Sequence, residues 1–305
     1  MKYRRTGLSV TTNIEHKGYN KTVIILHGGL FIYCQYKKLT FMKKFHSALF
    51  DFCWFPNYDA SIEYLANNIA DPEPWDFSDA TQAKYSILKS YIEHTFRKIK
   101  SENKISFSSD NNFACFNTGL VTANLESIFA LAERNNRPDV AEKGLSPYVF
   151  KAFVRESDIQ LISKFGDNIP DIADFFQKPE DLIFNPQCRV VPQIDHIIAD
   201  NMDRFPAHMQ GLSSDEMRRR LVGAINEAQK KARSNYKIAV PQYYEGKIQL
   251  LLPLCLTPGS PNPDLALATH KIGNNTYTAR TCLTLKMAYN NARLIVKPQS
   301  SWLKP

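Results

Sequence analysis

The sequence predicts an α+β protein: a helical, acidic N-terminal part followed by a basic, β-rich C-terminal part made of hairpins or a small barrel. Three observations predict it. Apolar residues recur at helical spacing between residues 78 and 100, and again between 213 and 234. After Lys237 the period changes to two, in runs joined by glycine-bearing turns. The charge divides in the same way. Residues 45–203 carry 14 basic against 24 acidic side chains, a net −10, and residues 204–305 carry 15 against 5, a net +10.

The first residues stand apart. Residues 1–44 hold nine Lys and Arg against the single acid Glu15, which equals the whole excess of +8 on the 305-residue chain. Thr22 to Tyr36 is apolar but too short to span a bilayer, and His27, Gly28 and Gly29 interrupt it. A strand or half a hairpin is expected there, with no membrane association. No small-residue cleavage site follows, which argues against a secretory signal. Met42-Lys43-Lys44-Phe45 reads as a second start, which would make residues 1–41 a non-native or accessory extension. Residues 42–145 are then expected to form a mainly helical sub-domain, and residues 146–305 a mixed to β-rich one.

Phe45 to Tyr58 is dense in aromatics and halts at Pro56, as a buried strand or anchor would. Asp59 can cap a short helix reaching Ala70, and Asp71 to Trp75 reads as a turn. The stripe Tyr85, Leu88, Ile92, Phe96 and Ile99 predicts a helix from Ser78 to Lys100. A turn at Asp110-Asn111-Asn112 leads into a short strand ending at Phe116. Asn117-Thr118-Gly119 comes next, then a helix carrying Leu125, Ile128, Phe129 and Ala132. Residues 134–147 read as a polar linker, 148–165 alternate as strands do, and Pro170, Pro179 and Pro186 suggest short elements wrapped on a core.

Helices are expected from Asp195 to Phe205 and from Ser213 or Ser214 to Ser234. The second has Met217, Leu221, Ile225, Ala228 and Ala232 on its inner stripe. Lys237 to Tyr244 and Lys247 to Leu256 form strands joined at Glu245-Gly246. Leu265 to His270 and Thr276 to Thr284 form another pair, turning at Gly273-Asn274-Asn275. A helix from Leu285 to Ala292 and a last strand from Arg293 to Val296 close the chain.

Several chemistries are excluded. Six scattered cysteines without a C-x-x-C pair argue against a zinc site and against a disulfide scaffold; reduced thiols in the cytoplasm are expected. His27-Gly28-Gly29 resembles an esterase oxyanion turn, but no G-x-S-x-G elbow exists to serve it. There is no Walker loop and no G-x-G-x-x-G.

Four segments could carry chemistry. His196, Asp200 and Asp203 fall at i, i+4 and i+7, so one helical face could hold a divalent metal or an acid–base pair; the alternative is a solvated face. Asn117-Thr118-Gly119, between a strand and a helix, could contact phosphate through free N–H groups, or could simply cap the helix. Arg218, Arg219, Lys230, Lys231 and Arg233 lie on one helix that leads to Tyr236, Lys237, Tyr243, Tyr244 and Lys247. Cations interleaved with tyrosines suit single-stranded nucleic acid, where lysines neutralise phosphates and rings stack on bases. Tyrosines at period two are also common packing residues. Tyr289, Asn290 and Arg293 could reach a ligand together or satisfy buried backbone.

FNTGL (Phe116 to Leu120), FFQKPEDLIFNP (Phe175 to Pro186), DHIIADNMDRFP (Asp195 to Pro206), NYKIAVPQYYEGKIQLLLPLCL (Asn235 to Leu256) and TCLTLKMAYNNARLIVKP (Thr281 to Pro298) together resemble a known family. It is the uncharacterised, mainly bacterial family called domain of unknown function 3825. The resemblance spans about Leu49 to Leu303 and departs at Lys286, where an acidic residue is expected. It implies no established activity. It does imply an association with OST-HTH (LOTUS) RNA-binding domains, although no such segment is visible here.

The leading expectation is a nucleic-acid-associated protein that binds single-stranded RNA or assists its processing. A metal-dependent enzyme acting on a phosphate-containing or nucleotide substrate is the alternative. A third reading is a structural module whose oppositely charged parts cover each other, within the fold or in a homo-oligomer.

Overall fold

The computed structural model describes residues 11–16, 19–24, 47–77 and 83–304. β1 (Thr11–His16) and β2 (Tyr19–Ile24) pair antiparallel, with Thr11 opposite Ile24 and His16 opposite Tyr19. β2 includes the start of the apolar run expected to form a strand. The rest of that run, with His27-Gly28-Gly29 and the Met42 start, lies outside the described residues.

The aromatic stretch after residue 46 folds as a short helix, α1 (Ala48–Phe52), running into a two-residue strand, β3 (Cys53–Trp54). α2 (Tyr58–Tyr64) is capped by Asn57 in place of Asp59: the Asn57 side chain accepts from the Ala60 N–H at 3.0 Å. A π-helical turn carries it on to Ile69. α3 (Ser86–Ser101) buries the expected stripe of Leu88, Ile92, Phe96 and Ile99. Residues 78–82 lie outside the described residues.

β4 (Ser106–Phe107) and β5 (Phe113–Val121) flank the expected turn. The segment expected as a helix is instead a strand, β6 (Ser127–Arg134), paired with β5. Its continuous buried run Ile128 to Ala132 feeds cores on both faces of a sheet, and such a run matches helical spacing by coincidence. The polar stretch 134–147 joins β6 to β7 (Tyr148–Arg155), its neighbour in the same sheet. Residues 145 and 146 thus sit in a loop within one sheet.

α4 (Ile159–Phe165), β8 (Arg189–Pro192), α5 (Ile194–Asn201), α6 (Ala207–Gln210) and α7 (Ser214–Ser234) follow. The Ser213 hydroxyl caps α7, and all five inner-stripe residues are buried. The two expected hairpins form as β9 (Val240–Tyr244) with β10 (Lys247–Leu254), and β11 (Leu265–Ile272) with β12 (Thr276–Thr284). α8 (Leu285–Arg293) takes in Arg293, where a strand was expected to begin; the chain then turns.

The strands form two open five-stranded sheets, ordered β3-β7-β6-β5-β4 and β8-β12-β11-β10-β9. Alternation along each strand sends neighbouring side chains to opposite faces. In the first sheet Cys115, Phe129, Leu131 and Val154 pack on Leu161 and Phe165 of α4, whereas Phe116, Ile128 and Ala130 share a core with α3. In the second, Leu250, Leu252, Leu265 and Leu267 pack with α5 and α7, whereas Val240, Leu251, Ala266 and Ala268 join the core of α3 and α8. The result is five layers: α4, a sheet, α3 with α8, a sheet, and α5 with α7. The α+β class expected from the sequence is the class observed.

Burial pushes the thiols of Cys53, Cys115 and Cys282 up to about 12, so these side chains act as small apolar fillers. Among the described residues no helix is long and apolar enough to cross a membrane.

One polar contact lies inside the central layer. Arg293 of α8 donates through Nε and Nη2 to the two carboxylate oxygens of Glu73, the second bond measuring 3.0 Å. Its guanidinium lies 4.9 Å from the Trp75 ring centre and 4.6 Å from that of Tyr91. Burial by itself would lower the Arg293 pKa, but the Glu73 carboxylate more than reverses this and holds it above the usual value. Glu73→Ala strands a buried cation and should cost about 3–5 kcal/mol, measured by urea unfolding, whereas the double change Glu73→Leu/Arg293→Met should cost far less. Equal losses in the two variants would show that packing, not charge pairing, dominates there.

Candidate functional site

At one end of the central layer, past the last turn of α3, the apolar core gives way to a groove of 470 Å³. One wall is the segment 174–181. The other is formed by the ends of β9, β10 and β11. The strands contribute Gln249 and His270 to its lining, together with Leu250, Thr269, Lys271 and Tyr277; Leu250 and Tyr277 belong to the core shared with α5 and α7.

Lys98 comes from the last turn of α3, where a cation is favoured by the helix dipole. It bridges to Glu102 at 2.7 Å and sits 5.5 Å from the Tyr243 ring centre and 5.8 Å from that of Phe175. Those two rings meet edge to face at 4.9 Å. Burial tends to lower the Lys98 pKa, but Glu102 and Tyr243 prevail and raise it, so the ammonium stays charged. Lys178, Lys247 and Lys271 also line the groove and form no ion pair with any described residue. Asp174, Glu180 and Asp181 lie with Lys178 on the opposite segment, and Lys247 and Lys271 on the strand side.

The ten residues expected at a nucleic-acid surface are divided by the fold. Tyr243 and Lys247 line the groove. Arg218, Arg219, Lys230, Lys231 and Arg233 are on α7, outside the groove lining; α7 packs on the second sheet with Leu250, Leu252 and Leu267. Arg219 pairs with Asp215 at 3.4 Å, and Lys231 with Glu227 at 2.6 Å. Tyr236 is exposed just beyond α7, with the Lys237 ammonium 5.9 Å from its ring centre, and Tyr244 is half-exposed.

His196 and Asp200 do meet, at 3.3 Å, on the exposed face of α5. The helix ends at Asn201, and Asp203 sits on the following 3-10 turn, which breaks the i+7 alignment. Among the described residues no group of three or more His, Cys, Asp or Glu is placed to hold a metal ion.

Asn117-Thr118-Gly119 does not start a helix. It forms an irregularity within β5, and its polar groups are used internally. The Asn117 side-chain oxygen Oδ1 accepts from the Gly119 N–H at 2.9 Å, and the Thr118 hydroxyl donates to the Ile128 main-chain carbonyl at 2.7 Å. Gly119 has φ +71°, and a Cβ there would stand 2.7 Å from the Tyr91 hydroxyl oxygen. Tyr289 and Arg293 are likewise committed to the core, Tyr289 against Phe77 and Arg293 on Glu73; the Asn290 side-chain oxygen Oδ1 is buried without a hydrogen-bond partner among the described residues. The Lys286 ammonium lies 5.6 Å from the Phe77 ring centre.

Lys98, Phe175, Gln249, His270 and Lys271 escaped the sequence reading. Only topology brings Lys98 beside Tyr243. Gln249 did leave a trace: Lys247 and Gln249 alternate at the head of an otherwise apolar strand.

The family model described as a domain of unknown function, DUF3825, matches residues 66–302. The chain belongs to that family. No curated protein and no solved structure matches it.

The internal use of Asn117 to Gly119 has a measurable consequence. Gly119→Ala forces an L side chain into a left-handed backbone and into the Tyr91 hydroxyl, and should destabilise the protein by about 2 kcal/mol or more in thermal unfolding. Tyr91→Phe in the same chain should recover part of that loss. A Gly119→Ala protein of unchanged stability would reject this account of the glycine.

Proposed function

We propose that the protein binds single-stranded RNA, with the groove beneath residues 174–181 as the contact surface. The observation that carries this reading is the placement of Lys178, Lys247 and Lys271, unpaired with any described acid, around a cavity walled by Tyr243 and Phe175. Single strands are held by cations that follow the phosphates and by aromatic rings that accept unstacked bases, at about 1–3 kcal/mol per stacked base. A cavity of 470 Å³ suits one nucleotide rather than a duplex. The association of the family with OST-HTH RNA-binding domains, which the sequence resemblance implies, points the same way, and to a cytoplasmic role in RNA handling. The basic residues of α7 then act as a separate solvated face or as a secondary electrostatic contact.

Fluorescence anisotropy with labelled single-stranded RNA, single-stranded DNA and duplex tests this reading. Affinity should be highest for a single strand and should fall steeply with salt. Lys247→Ala and Lys271→Ala should each weaken binding and flatten the salt dependence by about one phosphate contact. Tyr243→Ala should weaken it by roughly tenfold with the salt slope unchanged. Arg218→Ala and Arg233→Ala should leave the groove contact intact. The reverse pattern, with loss from α7 changes and none from the groove, would move the interface to the other face. Absence of binding near physiological salt would end the proposal.

A further inference from the structure

The segment 174–181 lies across the groove as a strap held at its two ends. At the first end the Lys104 ammonium donates to the Ile172 carbonyl oxygen at 2.8 Å, and the Asp174 N–H donates to Glu102 Oε2 at 3.0 Å. At the other, Phe184 is buried and stacks on Tyr277 with ring centres 4.9 Å apart, and the Asn185 N–H donates to the Tyr277 hydroxyl at 3.1 Å. Between these anchors the hold is slight. No residue from Phe176 to Ile183 is buried, and Phe176 and Ile183 are 44% and 56% exposed. Among the described residues, the hydrogen bonds of residues 175–183 are local: the Phe176 N–H to the Asp174 side chain, and the Asp181 N–H to the Lys178 carbonyl oxygen. A stretch with few buried contacts and no hydrogen bonds to the sheet opens at low free-energy cost.

A ring contact ties the strap to the sheet: Phe175 meets Tyr243 edge to face at 4.9 Å, beside the Lys98 ammonium. Two rings in contact leave no slot between them, so a base cannot lie against that side of Tyr243 while Phe175 is there. The strap also carries Asp174, Glu180 and Asp181 against Lys178, a net 1 − 3 = −2. These carboxylates share the groove with Lys247 and Lys271 and lower the positive potential that a phosphate would meet. An aromatic ring on the tyrosine and carboxylates in the lysine groove are the chemistry of a nucleotide, supplied by the chain itself. We propose that the strap is an autoinhibitory element: Phe175 takes the place on Tyr243 that a base of a bound single strand takes, and the strap swings out before the strand enters. The inference rests on the RNA-binding reading of the same groove and adds a closed and an open state to it; the structure described is the closed one. The apparent affinity for RNA is then that of the open groove reduced by the fraction of molecules that are open. Removing the Phe175 ring raises that fraction without changing any charge.

Anisotropy titrations of the full chain with a labelled single-stranded RNA, run beside hydrogen exchange with and without that RNA, test this directly. Phe175→Ala should bind about threefold to tenfold more tightly than the unaltered protein, with the salt slope unchanged. Phe175→Leu, the milder change, should tighten binding less. In free Phe175→Ala the amides of residues 176–183 should exchange faster, while those of α7 and β11 keep their rates, which also shows that the variant is folded. In the unaltered protein, RNA should speed exchange of the strap as it is displaced. Unchanged or weaker binding by both variants, or slower strap exchange when RNA binds, would make the strap part of the contact surface and overturn autoinhibition while RNA binding stands. Unchanged strap exchange in free Phe175→Ala would overturn the role of Phe175 as the closing contact. No binding by the unaltered protein or by either variant would remove both proposals together.

Discussion

The structure depends on one buried ion pair between residues 220 positions apart, Glu73 and Arg293. It joins the turn that precedes α3 to the last turn of α8, and these two helices are the layer between the sheets. A buried pair contributes little net stability compared with an apolar alternative. Its effect is geometric: two parallel N–H···O bonds, with Trp75 and Tyr91 against the guanidinium, accept one placement of α8 relative to the turn. Because α8 packs on β9, β11 and β12, that placement also positions the second sheet beside α3.

The groove is a consequence of this arrangement. The segment 174–181 begins beside the last turn of α3, where the Asp174 N–H donates to Glu102, and lines the groove together with the ends of β9, β10 and β11. The segment 174–181 roofs the opening through Phe175, which packs on Tyr243 under Lys98. Asn291 of α8, two residues from Arg293, donates to the Gln242 side chain of β9, so the helix that carries the ion pair is also tied to the edge strand of the second sheet.

The readable parts of the sequence were those where one physical signal dominated. The Glu245-Gly246 turn, with φ of +47° and +80°, announces its hairpin, and the stripe from Met217 to Ala232 announces α7 with its serine cap. β6 was misread because Ile128 to Ala132 is buried on both faces, and a strand of that kind has no period to detect. Arg293 was expected to open a strand and either to reach a ligand or to satisfy buried backbone; its actual partner, Glu73, lies far away in the sequence. Tyr243 and Lys247 were recognised by type. Their companions Lys98, Phe175 and His270 were not, since each looks ordinary on its own element and acquires meaning only from the layer order.

The charge asymmetry of the chain also takes on a different sense in three dimensions. The +10 of residues 204–305 suggested a single basic face, yet α7 carries five of the cations expected there, whereas Lys247 and Lys271 stand at the ends of β10 and β11 in the groove. Several α7 cations are neutralised along their own helix, Arg219 by Asp215 and Lys231 by Glu227, as i,i+4 pairs on solvated helices usually are. The groove lysines Lys247 and Lys271 form no ion pair with any described residue, although Asp174, Glu180 and Asp181 line the same groove. Net charge per segment therefore overstates the α7 surface. What distinguishes the groove is a small number of cations without an ion-pair partner among the described residues, next to an aromatic wall.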